Sequence, residues 1–304
     1  MQTVRIGYVE IGEGRPCIIA PITAPSIDGV MDTATSLADL PVELAEWRLD
    51  MFEDAVVETP EGLMPDLPYI LQSLAGLRTV IPVALIATFR TVEEGGSCPI
   101  SDEGYAQLVK ALCDSRNIDL IDIEAFHKSG RAAELIEYAH SRHIPVIASF
   151  HDFEATPEKD EIVRRLRLMQ DELGADILKA AVMPQSRADV LTLLAATEDM
   201  TTNYASRPVI TMSMGALGAV SRVCGQSFGS AATFVQVGKG SAPGQLGAEE
   251  TDTVLGILEE ACFQHENTRV DSCSSNCRAS LKERNSESVQ SREVVASGGS
   301  PQVA

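Results

Sequence analysis

Lys179 stands inside the run GADILKAAVMPQ, residues 174–185, where an ammonium group interrupts an otherwise apolar stretch. The chain has only six lysines, and the other five (Lys110, Lys128, Lys159, Lys239 and Lys282) sit in polar or glycine-rich surroundings. A lysine at the margin of an apolar segment ordinarily lays its stem on the surface and keeps its charged head in water. Lys179 has no such margin. Read as a strand, the run puts Ile177, Lys179 and Ala181 on one face and Leu178, Ala180 and Val182 on the other. Burial disfavours the charged form of an amine, and a neutral amine attacks carbonyl carbon, so the chemistry suggested is imine formation. Polar residues recur at period two in other apolar runs: Glu46, Arg48 and Asp50; Thr88 and Arg90; Asp122 and Glu124; Ser149 and His151; Thr211 and Ser213. They gather towards the C-terminal ends of their runs. One such group is an ordinary solvated strand end. Repeated across several runs, with both signs of charge and a lysine, the pattern reads as a site, because buried charges persist only when paired or used.

Something must bring these runs together. Eight β-type runs follow one another: residues 17–22, 44–50, 83–90, 120–126, 145–152, 175–182, 208–215 and 231–237. Between them lie amphipathic helical patterns such as YAQLVKALCDSR, RAAELIEYAHSRH, DEIVRRLRLMQDELG and SRADVLTLLAATE. Strands separated by crossover elements imply a parallel sheet, and a count of eight favours a closed (β/α)8 barrel of the TIM type, an α/β fold, over an open doubly wound sheet. In such a barrel the C-terminal strand ends converge on one mouth, where active sites are built. No G-x-G-x-x-G follows the first run and no P-loop pattern occurs, so neither dinucleotide nor P-loop nucleotide binding has its signature.

The 304 residues accommodate one barrel of about 250 residues with a tail to spare. The expected organisation is a single catalytic barrel domain over residues 1–266 and a disordered, serine-rich tail over 267–304. From residue 265 onward there are five acidic and five basic residues, so the net charge of −20 belongs to the folded body. That acidity argues against nucleic acid as a partner, and an anionic substrate would need a local arginine cluster. The first residues lack the apolar core of a signal peptide and no apolar run reaches the roughly 18 residues needed to span a bilayer; a cytoplasmic protein with no membrane association is expected. Seven scattered cysteines read as reduced, packed thiols. The pair Cys273 and Cys277 lacks a second ligand pair at zinc-site spacing, and no metal is expected.

The stretches EWRLDMFED, ATFRTVEEGG, IDIEAF, ASFHDFEATP, ADILKAAVMPQS, ITMSMGALGAVSRVCGQSFGSAATF and SAPGQL resemble, in order and from about residue 15 to 262, those of the type I 3-dehydroquinate dehydratases. The resemblance implies a syn elimination of water from 3-dehydroquinate to 3-dehydroshikimate through a lysine Schiff base, a step of the shikimate pathway, with no cofactor. It assigns Lys179 as the imine-forming residue, His151 as the proton-transferring acid and base, and Glu94 as its acidic partner. It makes Arg222 the anchor of the substrate carboxylate, Glu46, Arg48 and Arg90 hydroxyl-binding residues, and Ser241 and Gln245 parts of a loop over the substrate. Asp122 and Glu124 are expected to hold the arginines in place, and a homodimer is the expected assembly. The chain departs from the resemblance at Pro21, where a small polar residue is usual, and the tail has no counterpart. Two other readings compete: a Schiff-base class I aldolase on the same barrel, and a catalytically silent sensor or binding domain derived from it.

Overall fold

The computed structural model describes residues 2–238 and 244–261. Eight strands form one sheet: β1 (Cys17–Ile22), β2 (Leu44–Arg48), β3 (Ala84–Thr88), β4 (Leu120–Glu124), β5 (Val146–Asp152), β6 (Ile177–Val182), β7 (Val209–Ser213) and β8 (Ala232–Phe234). Neighbours pair in parallel in the order β7-β6-β5-β4-β3-β2-β1-β8. The sheet closes between β7 and β8 through a parallel bridge of Val209 with Ser230 and a 2.7 Å bond from Ala231 N to Val209 O. The expected (β/α)8 barrel is therefore the observed one.

Alternation sorts the side chains. Leu178, Ala180 and Val182 of β6 belong to the outer core between sheet and helices, while Ile177 and Ala181 belong to the core inside the barrel. Lys179 thus points inward. Below it, Ile19, Leu44, Ile86, Leu120, Ile147, Ile177 and Ile210 fill the interior. These branched chains need no polar partner and pack densely, which leaves the upper interior as the only part of the barrel where polar groups accumulate. A hairpin of Val4–Ile6 and Val9–Ile11 adds Val4, Val9 and Ile11 to the same apolar cluster. No sequence expectation covered that hairpin.

The helices Asp102–Ser115, Ala132–Ser141, Lys159–Asp171 and Arg187–Asn203 lie where the amphipathic patterns put them. Arg187–Asn203 starts on a capping box in which Ser186 and Asp189 satisfy each other's backbone donors.

One part of the period-two pattern requires correction. In β7 the inward residues are Ile210 and Met212, followed beyond the strand by Met214, whereas Thr211 and Ser213 face the helices. Thr211 Oγ1 lies 2.6 Å from Thr197 Oγ1, and Ser213 N donates to Ser221 Oγ at 2.9 Å. Pro21 is buried on β1 opposite Glu46 in register.

The chain divides into a unit Met1–Gly256, which carries the barrel, and a unit Ile257–Ala304, of which residues 257–261 are helical. The segment 267–304, including Cys273 and Cys277, lies outside the described residues, as does Ser241.

Candidate active site

A cavity with about 460 Å3 of empty space, its opening to solvent included, lies at the C-terminal mouth of the barrel. Its wall contains Glu46, Arg48, Arg90, Glu94, His151, Lys179, Arg222 and Gln245, together with the apolar Phe153, Ala181, Met212, Met214 and Phe234. All the expected site residues within the described chain converge there.

Strand register sets their levels. Lys179 pairs with Ser149, and Ala181 with His151, so the imidazole sits one inward step above the amine. Lys179 is only 3% exposed. Its Nζ donates to Asp122 Oδ2 at 3.0 Å, lies 3.7 Å from Glu46 Oε1 and 4.5 Å from the centre of the Phe234 ring. The nearest charges are thus carboxylates. Arg90 reaches the lysine through Asp122, whose Oδ1 accepts from Arg90 Nη2 at 2.7 Å. Burial opposes the charge on Asp122, but Arg90 and Lys179 outweigh it and hold the carboxyl at about 2.

Arg90 organises this side of the mouth. Its Nη1 is 3.0 Å from Glu124 Oε1, 3.0 Å from Ser149 Oγ and 3.4 Å from Glu94 Oε2. Burial works against its charge; Asp122, Glu124 and Glu94 overcome that and raise the guanidinium well above its ordinary value. Glu124 also accepts from Thr91 N at 2.8 Å and Thr91 Oγ1 at 2.7 Å. Asp122 and Glu124 do hold an arginine in place.

Glu94 turns inward because of the two glycines after it. The short 3-10 turn Val92–Glu94 ends at Gly95, whose φ of 82° is left-handed and whose missing Cβ leaves room for the Phe153 ring. A Cβ on Gly96 would stand 1.8 Å from the Arg90 carbonyl oxygen. Glu93, by contrast, points to solvent and pairs with Lys128. Glu94 Oε2 accepts from His151 N at 3.1 Å and lies 2.9 Å from His151 Nδ1.

Burial, then the positive charges of Arg90, Lys179 and Arg48, lower His151 well below 6.5. Burial also pushes the Glu94 carboxyl well above 4.5; the pull of Arg90 opposes this, and Glu124 and Asp122 add to it. A carboxylate facing an imidazolium is therefore disfavoured in the resting pair.

Arg222 comes from the helix Gly215–Val223, which follows β7 directly and is fastened to it by the Ser213–Ser221 bond. It is 2% exposed, with Nη1 3.7 Å from Met212 Sδ. Burial lowers it from 12.5 to about 10, which leaves it cationic at neutral pH. Of the three arginines in the wall it alone is lowered.

Phe153, Ala181 and Phe234 were not anticipated as wall residues. For Phe234 the signal was available, since its run ends beside the closing strand pair. The remaining histidines described lie elsewhere: His127 stacks on Tyr105 at 4.6 Å, His140 lies 2.8 Å from Asp176 Oδ2, and His143 is exposed.

The arrangement supplies a buried amine, a carboxyl-imidazole pair one step above it and a buried cation, which together suit condensation with a ketone followed by proton transfer. Comparison with known proteins agrees. The family model of type I 3-dehydroquinase matches residues 18–261. The 3-dehydroquinate dehydratase of Salmonella typhimurium (strain LT2) is 44% identical over 262 residues, covering 86% of this chain and all of that protein. The type I 3-dehydroquinate dehydratase of Clostridium difficile, solved with covalently modified comenic acid, superposes with a TM-score of 0.80 at 42% identity, covering 86% of this chain and 99% of that one. The 3-dehydroquinate dehydratase of Geobacillus kaustophilus HTA426 gives 0.77 at 34% identity, covering 85% and 97%.

Proposed function

The chain belongs to the type I 3-dehydroquinase family, and from that premise we propose the roles by which its mouth residues dehydrate 3-dehydroquinate. The observation that carries the reading is Lys179, 3% exposed on a barrel-lining strand, in the wall of the same cavity as the His151–Glu94 pair.

Lys179 Nζ, in its neutral form, attacks the substrate ketone; a C–N bond forms and the carbonyl oxygen, taking one proton from the amine and one from solvent, leaves as water, giving a protonated imine. The imine is the electron sink for the next step. With Nδ1–H donating to Glu94 Oε2, His151 Nε2 holds a lone pair and takes the proton from the α carbon as the electrons move into the C–N system. The imidazolium so formed gives its proton to the β hydroxyl, which departs as water, and hydrolysis of the imine frees the enone product and restores the amine. Glu94 stabilises the imidazolium only during turnover, when the charge develops.

Arg222 receives the substrate carboxylate, which offsets the cost of its buried charge. Glu46 and Arg48 face the hydroxyl-bearing side, with Arg90, whose Nη groups also hold Asp122, Glu124 and Glu94. Gln245 closes the wall, and Ser241 is assigned to the same covering segment from its motif. The reading requires no cofactor and no metal, because the imine accepts the electrons. It also takes the protein as a cytoplasmic homodimer; no described helix is long and apolar enough to cross a membrane. Family membership does not favour the aldolase or the silent sensor.

Borohydride added with dehydroquinate tests the assignment. Reduction of the imine should fix the ligand on the peptide carrying Lys179 and inactivate the protein, while untreated protein should generate ultraviolet absorbance from the conjugated enone. Labelling at Lys239 instead would move the imine to another lysine.

A further inference from the structure

Asp50 is the one fully buried carboxylate beside the mouth that the reaction, as described, leaves unused: its side chain is 0% exposed and it follows β2 in the short turn Leu49–Met51. Each of its oxygens accepts two hydrogen bonds. Oδ1 takes Arg48 Nε at 2.8 Å and the backbone N of Arg90 at 3.2 Å; Oδ2 takes Arg48 Nη2 at 2.8 Å and the backbone N of Ser97 at 3.1 Å. The first bond of each pair fixes one edge of a guanidinium in a planar, bidentate grip. The second bond of each pair joins the two ends of the segment 90–97, which carries Glu94. Among the described residues Arg48 Nη1 makes no hydrogen bond, so the grip presents one donor to the cavity whose wall Arg48 forms.

We propose that Asp50 is a positioning residue for the dehydration, acting through Arg48: it orients the guanidinium so that Nη1 meets a substrate hydroxyl, and it ties that donor at a fixed offset to the segment bearing Glu94. The inference rests on the reading of the site given above, with Arg48 as a substrate ligand. Direct contact between Asp50 and substrate is not part of it, because all four acceptor positions are filled by the protein.

Asp50→Asn keeps the shape and removes the pattern. An amide has a single acceptor oxygen, so in either orientation its NH2 faces two donors and two of the four bonds are lost. KM should rise about ten- to hundredfold, the scale of losing a hydrogen bond to a charged group in a buried site. Arg48→Gln should raise KM comparably, and the double variant should be no worse than Arg48→Gln alone. A purely structural carboxylate would lower Tm and leave KM in place, or its effect would multiply with that of Arg48→Gln.

If Asp50→Asn does not fold, Asp50→Glu serves in the same cycle, since it keeps the charge and shifts the acceptors by one methylene. A KM increase that vanishes in the Arg48→Gln background supports the role. Wild-type KM in a folded Asp50 variant, or multiplicative effects, overturns it. Borohydride trapping run alongside separates the two readings: wild-type protein with no adduct at Lys179 refutes the imine, while the KM cycle still decides the role of Asp50.

Discussion

Replacing Arg90 and Arg222 in turn by methionine, a side chain of similar reach without charge, sets two buried guanidiniums against each other. Arg90 is surrounded by Asp122, Glu124 and Glu94, whose side chains are 1%, 1% and 10% exposed. Removing it leaves three buried carboxyls, of which Asp122 keeps its ion pair with Lys179. Breaking a buried pair by deleting one partner costs about 3–5 kcal/mol. For a barrel of this size that corresponds to a fall in Tm of roughly 6–20 °C, at about 2–4 °C per kcal/mol. Arg222 differs in sign. Burial takes it from 12.5 down to about 10, so holding its charge costs the fold roughly 3 kcal/mol at 1.4 kcal/mol per tenfold. Arg222→Met should therefore leave Tm unchanged or raise it, while KM for dehydroquinate rises about a hundredfold or more as a bidentate grip on the carboxylate is lost. Calorimetry gives the two Tm values, and enone absorbance at varied substrate gives KM. The reasoning fails if Arg90→Met melts with the wild type, or if Arg222→Met loses as much stability as Arg90→Met.

Other outcomes follow from the same geometry. His151→Ala should cut turnover by about 10² to 10⁴ yet still give a borohydride adduct at Lys179, whereas Lys179→Ala should give neither; near-normal turnover in His151→Ala would pass the proton transfer to Glu94. Because His151 lies well below 6.5, its 15N shifts should remain those of neutral imidazole as the pH falls through 6.5. The unfolded chain takes up a proton there and the folded one does not, so this group's contribution to stability is present above 6.5 and is lost as the pH drops from 6.5 towards the folded value; an imidazolium midpoint at or above 6.5 in the free protein would contradict this. Gly96→Ala forces a Cβ against the Arg90 carbonyl, which cannot shift without moving Glu94, so both stability and kcat should fall, stability by about 1–3 kcal/mol or more; an unaltered kcat would mean the segment has room to give.

Much of the barrel was legible because its strands are short, apolar and evenly spaced, and because a charged residue at period two in such a strand has one place to go. Lys179, Glu46, Arg48, Arg90, His151 and Glu94 were found that way or through their motifs, and the cavity wall contains all of them. Period two misled in β7, since Thr211 and Ser213 alternate as neatly as an inward pair would. Methionine is ambiguous where lysine is not: it packs well on either face, so Met212 and Met214 gave no vote against the hydroxyls. Hydroxyls, for their part, are satisfied on the outer face by Thr197 and Ser221, partners on the helices just before and just after β7 whose facing depends on how each helix packs. The carboxylates nearest Lys179 were equally hidden, because which oxygen of Asp122 meets which cation depends on the stagger between β3, β4 and β6, and stagger leaves no trace in spacing.

That stagger also explains how a chain with a net charge of −20 can receive an anion. Most of the positive charge at the mouth is already matched: Arg48 by Asp50, Arg90 by Asp122, Glu124 and Glu94, and Lys179 by Asp122 with Glu46 close by. Arg48 and Arg90 are raised by these carboxylates despite their burial, and what they offer a substrate is directed hydrogen bonding more than net attraction. Arg222 is lowered by burial, so an arriving carboxylate gains most there. The acids sit on β2, on β4 and in the turns after β2 and before Gly95, while Arg222 is supplied by the helix after β7. On the roles proposed above, that asymmetry of charge orients the substrate towards Lys179 and His151.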